Sequence, residues 1–224
     1  MSDNNIILAL PKGRILEEFR PLLTRVGITP EPDFENEDSR KLQFSTNVPG
    51  LSIIRARSFD VATFVAFGAA QLGIAGNDVL MEFNYDDIYA PLDLGIGVCR
   101  LSLCQPKDQP PLDMKKVSHL RVATKFPRFT RQYFEQRGIQ AECIELNGAM
   151  ELAPLLGLAP YMVDLVATGS TLKANNLIEA EKMADISSRL IVNRPAYKTQ
   201  SAALKPWIDK FRAAVEMDQG TGRS

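Results

Sequence analysis

Apolar residues in this chain come in short runs that glycine and proline repeatedly cut off. Ile6 to Leu10 is a compact apolar run stopped by Pro11-Lys12-Gly13-Arg14, the pattern of a buried strand entering a loop. Leu16, Phe19, Leu23 and Val26 then recur at helical spacing, with Gly27 placed as a C-terminal cap. Leu42 and Phe44 alternate with polar neighbours, Val48-Pro49-Gly50 turns the chain, and Leu51 to Arg57 reads as the returning strand. Ser58 is the expected N-cap of a helix carrying Val61, Phe64 and Val65 and closed by Gly68. Gln71 to Ala75 is a further short strand, ending at Gly76-Asn77-Asp78.

A second set of alternations begins near Asp93. Strand Val98 to Gln105 is followed by a loop from Pro106 to Pro111, which suits either a surface excursion or a crossing between lobes. Then come strand Leu120 to Ala123, helix Thr130 to Arg137, strand Ala141 to Leu146 and helix Ala149 to Leu156, the two helices stopped by Gly138 and Gly157. Strand Met162 to Ala167 runs into Thr168-Gly169-Ser170-Thr171, and Leu172 to Asn176 opens a helix. Apolar segments at Leu177–Ile178 and Ile186–Val192 precede a helix containing Trp207, Ile208 and Phe211, and Gln219 to Ser224 reads as a frayed tail. Strands alternating with helices imply parallel sheets with crossover helices, hence an α/β protein. No internal repeat of fixed period is present in the sequence.

Composition narrows the class. Hydrophobic residues at 45% and charged residues at 24% belong to a folded globular chain of 224 residues. A net charge of −1 argues against a surface built throughout for nucleic acid. The single histidine, His119, rules out mechanisms needing two imidazoles, and Cys99, Cys104 and Cys143 lack metal-site or disulfide spacing. The N-terminus lacks a secretory pattern, and the most apolar window, Val61 to Ala75, is broken by Thr63, Gly68, Gln71 and Gly73. A soluble cytoplasmic protein without a membrane span is the expectation.

Three places could carry chemistry. The Thr168–Thr171 run at a strand end exposes successive N–H groups and hydroxyls, which suit a phosphate monoester, and Asp164 could accept hydrogen bonds from ribose hydroxyls. The same residues equally suit an ordinary strand-to-helix turn. Lys12, Gly13 and Arg14 follow the first strand, where open α/β sheets place ligands, and could meet a polyanion, although by themselves Lys12 and Arg14 read first as solvated loop charges. Arg55 and Arg57, two apart at a strand end, share a face, and Arg40 with Lys41 precedes the adjacent strand. Asp93-Leu94-Gly95-Ile96-Gly97 lacks the third glycine of a dinucleotide fingerprint, and His119 with Ser118 makes no triad.

These residues resemble the ATP phosphoribosyltransferases. The family signature is matched by Glu151, Gly157, Ala159, Asp164, Leu165, Val166, Thr168, Gly169, Thr171 and Leu172, with Met162 where the family usually has Ile or Val. Further matches are Leu10-Pro11-Lys12-Gly13-Arg14, Arg55 with Arg57, Asp93-Leu94-Gly95, Cys99-Arg100-Leu101-Ser102-Leu103, Val122-Ala123-Thr124 and Leu146-Asn147-Gly148-Ala149. The resemblance implies two α/β lobes like type II periplasmic binding proteins, with the active site in the cleft between them. Lobe one would hold residues 1–93 with 175–224, and lobe two residues 94–174. It also implies a short-form catalytic subunit without a C-terminal regulatory domain.

The implied activity joins N1 of ATP to C1 of the ribose of phosphoribosyl pyrophosphate, giving N1-(5-phosphoribosyl)-ATP and pyrophosphate, the first step of histidine biosynthesis. By the resemblance Thr168, Gly169, Ser170 and Thr171 take the 5-phosphate and Asp164 the ribose hydroxyls. Arg14 and Arg40 are the expected catalytic cations, and Lys12, Gly13, Arg55, Arg57 and Asp93 meet nucleotide or pyrophosphate. No protein metal site is implied; Mg²⁺ is expected through the substrate phosphates. The implied partner is a regulatory subunit resembling a histidyl-tRNA synthetase, joined by a homodimer within a hetero-octamer, with no nucleic acid and no membrane. Two competing readings use the same residues. A non-catalytic sensor of a phosphorylated metabolite needs only one polyanion site, and the commoner type of phosphoribosyltransferase expects two adjacent acids where Val163 precedes Asp164.

Overall fold

The structure is a computed structural model that describes residues 5–36 and 38–221. In chain order its elements are β1 (Ile6–Pro11), α1 (Arg14–Arg25), β2 (Gln43–Ser45), β3 (Leu51–Ala56), α2 (Ser58–Ala66), β4 (Leu72–Gly76), α3 (Asn77–Phe83) and β5 (Ile88–Asp93). Then follow β6 (Cys99–Pro106), β7 (His119–Thr124), α4 (Pro127–Glu135), β8 (Gln140–Glu145), α5 (Leu152–Leu155), β9 (Tyr161–Val166) and α6 (Ser170–Ala174). The chain closes with β10 (Leu177–Ile186), β11 (Ser188–Asn193), α7 (Arg194–Thr199) and α8 (Ser201–Thr221). Two compact units result. The first takes residues up to 80, 84–97 and those from 187 onward, and the second takes 81–83 with 98–186.

The first unit is built on a six-stranded sheet ordered β2-β3-β1-β4-β11-β5. β1 lies between β3 and β4, parallel to both, and its near-continuous apolar run is what a strand covered on both faces requires. On one face the buried stripe of α1 (Leu16, Phe19, Leu22, Leu23) meets Leu204, Trp207, Ile208 and Phe211 of α8. The rings of Phe19 and Phe211 stack at 5.6 Å. Against β4, α2 packs so closely that a Cβ on Gly73 would stand 2.8 Å from Val65 Cγ2 and 3.0 Å from Val61 Cγ1. The chain leaves β1 to one side for β3 and returns past it to β4. The carboxyl ends of β1 and β4 therefore frame a topological switch point, where open sheets leave room for ligands.

The second unit repeats this plan in a five-stranded sheet, β10-β6-β9-β7-β8. Here β7 is the strand between two parallel neighbours, β8 and β9, and antiparallel β6 continues the sheet beyond β9. Cys104, Met150, Ala153, Met162, Val166, Leu172 and Leu177 belong to one hydrophobic cluster of its core, which ties β9 and α6 to their neighbours.

Several boundaries differ from expectation. The return to the first unit falls at Ser187 and not at 175, because Leu177–Ile186 pairs antiparallel with β6. Residues 94–97 stay with the first unit through Leu94 N–H to Ser188 O and Ser188 N–H to Ile96 O, both 2.9 Å. Residues 81–83 go with the second, where the Glu82 carboxylate accepts from the N–H groups of Arg128 and Phe129, each at 3.0 Å, at the start of α4. The loop at 106–111 is an excursion of the second unit, held by Gln105 Nε2 donating to the carbonyls of Gln109 and Pro110. Arg57, not Ser58, occupies the N-cap of α2. The helix expected over 149–156 contracts to α5, where Ala149 adopts φ 51° and Pro154 lacks the N–H that a longer ladder would need. α8 runs through Gln219 to Thr221, and the remainder of the expected tail lies outside the described residues. Among the described residues no helix is long and apolar enough to cross a membrane.

Candidate active site

The second unit carries the more complete site. β9 delivers Ala167-Thr168 to Gly169, whose φ of 77° lies in the left-handed region that glycine enters without strain. That turn swings the chain into α6, whose first N–H groups have no partner within the helix. The Gly169 carbonyl already accepts from Lys173 N–H at 3.0 Å, and buried Leu172 pins the turn to the core. Thr168 Oγ1 donates to Ser170 Oγ at 3.0 Å, so two hydroxyls stand side by side at the mouth. A cavity of about 270 Å³ opens here, lined by Thr168, Gly169, Ser170 and Thr171 with Asp164, Glu151 and Met162. N–H groups and hydroxyls converge on a space fit for a tetrahedral oxyanion, while two carboxylates border the rest. Asp164 is half-buried and one of its oxygens accepts the N–H of Leu165 at 2.8 Å, which fixes the carboxylate's direction. Glu151 has no role from the sequence beyond its place in the signature, yet it lines the same cavity. Directly beneath, burial pushes the Cys104 thiol up to about 12, so this sulfur is a packing group.

The first unit gathers cations along one sheet edge. β1 and β3 run parallel with Leu10 opposite Arg55, so Lys12–Arg14 and Arg55–Arg57 emerge from the same carboxyl end. Gly13, at φ 85°, caps α1 and its carbonyl accepts from Leu16 N–H at 2.9 Å. Arg14 is exposed and reaches Glu18 at 3.3 Å. Lys12 and Arg57 are also exposed. Arg40 lies exposed in the segment before β2 and makes no ion pair among the described residues, whereas neighbouring Lys41 pairs with Glu31.

Arg55 and Asp93 are committed differently. The Arg55 guanidinium lies 4.5 Å from the Phe44 ring centroid and 5.3 Å from that of Phe34, and donates to Phe34 O at 3.0 Å. It is a packing cation between two rings. Asp93 accepts from Gly95 N–H at 3.0 Å and Ser187 Oγ at 2.9 Å and pairs with Arg189 at 3.1 Å. Both of its oxygens therefore hold the end of β5.

Two α/β units, each with ligand-ready strand ends, define the class to which binding proteins of the periplasm belong. The periplasmic aliphatic sulphonate binding protein SsuA of Escherichia coli aligns at TM-score 0.58 and 12% identity, over 96% of this chain and 74% of that one. The periplasmic VFT2 domain of Bordetella pertussis BvgS aligns at 0.57 and 13%, over 96% and 94%. At such identities the likeness concerns the fold alone. A nearer likeness, TM-score 0.80 at 30% identity over 95% of this chain and 99% of the other, is to the ATP phosphoribosyl transferase (HisG:HisZ) complex from Thermotoga maritima. The sequence profile of the HisG: ATP phosphoribosyltransferase family matches residues 57–213. Curated ATP phosphoribosyltransferases from Rhodospirillum rubrum and Paramagnetospirillum magneticum are 58% and 59% identical, over 95% and 94% of this chain and 94% and 97% of their own lengths. The chain belongs to the ATP phosphoribosyltransferase family.

Proposed function

We propose that this protein transfers the 5-phosphoribosyl group of phosphoribosyl pyrophosphate to N1 of the adenine of ATP, releasing pyrophosphate, as the first step of histidine biosynthesis. The observation that carries the reading is the cavity shared by the Thr168–Thr171 loop, Asp164 and Glu151, in a chain of this family. The loop takes the 5-phosphate and Asp164 takes the ribose hydroxyls. As the C1–O bond to pyrophosphate breaks, the ribose becomes cationic and the leaving group gathers negative charge. Stabilising that charge falls to Arg14 and Arg40, with Lys12 and Arg57 along the same unit's cationic edge. N1 of adenine carries no proton to be removed, so positioning and electrostatics supply the rate.

Glu151 and Asp164, with the loop hydroxyls, are oxygen donors suited to a hydrated Mg²⁺ that arrives on the polyphosphate. Such an ion would neutralise phosphate charge. The Thermotoga maritima structure is of a HisG:HisZ complex, which supports a HisZ-type partner for this chain. A homodimer within a hetero-octamer and a place in the cytoplasm belong to the same proposal.

The deciding experiment mixes purified protein with ATP, phosphoribosyl pyrophosphate and Mg²⁺, with and without a HisZ-type partner, and follows the absorbance of the N1-substituted adenine. Product in either mixture supports the transfer. Binding of both ligands without product in either would favour a metabolite-binding protein. In the active mixture Arg14→Ala should lower kcat by about 10²–10³ with little change in ATP affinity, the cost of losing a preorganised donor at developing charge. Near-normal turnover would remove Arg14 from the mechanism.

A further inference from the structure

Behind the phosphate loop lies a charged device that the transfer reaction does not by itself require. Arg100 projects from β6, opposite Val166 of β9 in the antiparallel register. Its Nε stands 2.8 Å from both carboxylate oxygens of Glu179, and Nη2 is 2.6 Å from Glu179 Oε2. Ser102 Oγ, two residues along the same strand, donates to Glu179 Oε1 at 3.0 Å. The free arm of the guanidinium, Nη1, donates to Ala167 O at 3.1 Å and approaches Val166 O at 3.5 Å. Those carbonyls belong to the residues that lead directly into Thr168.

We propose that Arg100 is a positioning residue for the phosphate loop, a fork braced by Glu179 that fastens the carbonyls of Val166 and Ala167 and so aims the Thr168–Thr171 donors into the cavity. This rests on the loop being the phosphoribosyl-phosphate site. The geometry explains why arginine stands here. A planar guanidinium engages a carboxylate on one side and backbone carbonyls on the other at fixed angles, whereas an ammonium offers one point of charge. The pair is set to remain ionised at neutral pH. The Arg100 hydrogen bonds hold Glu179 below the usual carboxylate range, and those to Glu179 raise Arg100 above its ordinary value. A carbonyl held from behind cannot rotate, so the following N–H groups keep their direction without substrate, and binding spends less on ordering the loop.

The test is a steady-state comparison of Arg100→Lys, Arg100→Ala and Glu179→Gln with the parent protein. Arg121→Lys, in an exposed pair with Glu142, serves as control. Both Arg100 variants should raise KM for phosphoribosyl pyrophosphate about tenfold or more, with KM for ATP within about twofold, and lysine should not rescue. Glu179→Gln, the mildest change, should raise the same KM by several-fold and keeps the test alive if Arg100→Ala fails to fold. A fall in melting temperature with the ratio of the two KM values unchanged would overturn the proposal, as would rescue by lysine. Calorimetric titration with ribose 5-phosphate separates the two claims without turnover. If the parent protein does not bind it, the loop assignment falls and takes this inference with it. If the parent and Arg100→Lys bind it equally, only the role of Arg100 falls.

Discussion

Gly169 concentrates the chemistry of the second unit into one dihedral angle. A Cβ there would meet only Val166 Cγ1 at 4.0 Å, so space is ample and the backbone alone demands glycine. A β-branched residue at φ 77° carries a strain of about 1–2 kcal/mol, which the loop would relieve by turning its N–H groups away from the cavity. Gly169→Val should therefore raise KM for phosphoribosyl pyrophosphate by about tenfold, while KM for ATP holds. An unchanged KM would make the turn structural. At this scale the sequence is a good guide where function and local geometry coincide, as in Thr168–Thr171, whose small polar residues announce the turn and the donors together. It is a poor guide to Arg55. The rings that enclose that cation, Phe34 and Phe44, come from other segments, and a side chain two residues from another arginine carries no trace of them. Glu151 enters the sequence reading only as part of the family signature, and its place on one cavity with Asp164 emerges when the chain is folded.

Elements are fixed by close approach as much as by hydrophobic pattern. β4 can accept α2 because Gly73 has no side chain, and the neighbours of an added Cβ would be Val65 and Val61 at 2.8 and 3.0 Å and the carbonyl of Ala9 at 3.3 Å. Gly73→Ala should cost about 1–3 kcal/mol by overpacking, read as a shift of the denaturation midpoint at constant slope. A neutral result would mean that α2 slides freely on the sheet. A second tie is Asn193, whose Nδ2 donates to the carbonyls of Val65 and Ala66 at 2.8 and 3.2 Å while its Oδ1 caps α7 through Ala196 N–H at 2.8 Å. The regular strands were legible because their apolar runs end at glycine or proline. α3, β5 and α7 were not. β5 is half-exposed and lacks a buried alternation, and the other two are short helices, of seven and six residues, that tertiary contacts hold in place.

On the scale of the whole chain, both sheets share a four-strand core, a strand between two parallel neighbours with an antiparallel strand beyond (β3-β1-β4-β11 and β8-β7-β9-β6). These cores arise from segments without any sequence repeat. Topology is conserved by packing rules that many sequences satisfy, which is why periodicity yields an α/β class and not this symmetry. The boundary expected at 175 slipped to 187 for a related reason. β10 alternates half-buried and exposed positions, and only its antiparallel pairing with β6 assigns it to the second unit. A chain stopped after Ile186 retains every strand of the second sheet but loses β11 from between β4 and β5, together with α7 and α8. Its second-unit amides should remain protected in hydrogen exchange while those of β1, β3 and β4 exchange freely. Protection of both would show that the first sheet is stable without its antiparallel strand.

The position of β11 also has a temporal meaning. During synthesis β1, β3 and β4 emerge first, but the strand that covers the open side of β4 emerges only after the entire second unit. At roughly 5–20 residues per second the interval is on the order of ten seconds. Throughout it the apolar segment that becomes β4 lacks the partner that pairs its peptide groups, and such an unpaired apolar segment is the kind of template on which polypeptides from neighbouring ribosomes associate. The yield of soluble protein should therefore depend on how well that segment is shielded before the ribosome lets the last strand go, rising with chaperone supply and with faster translation of residues 77–193.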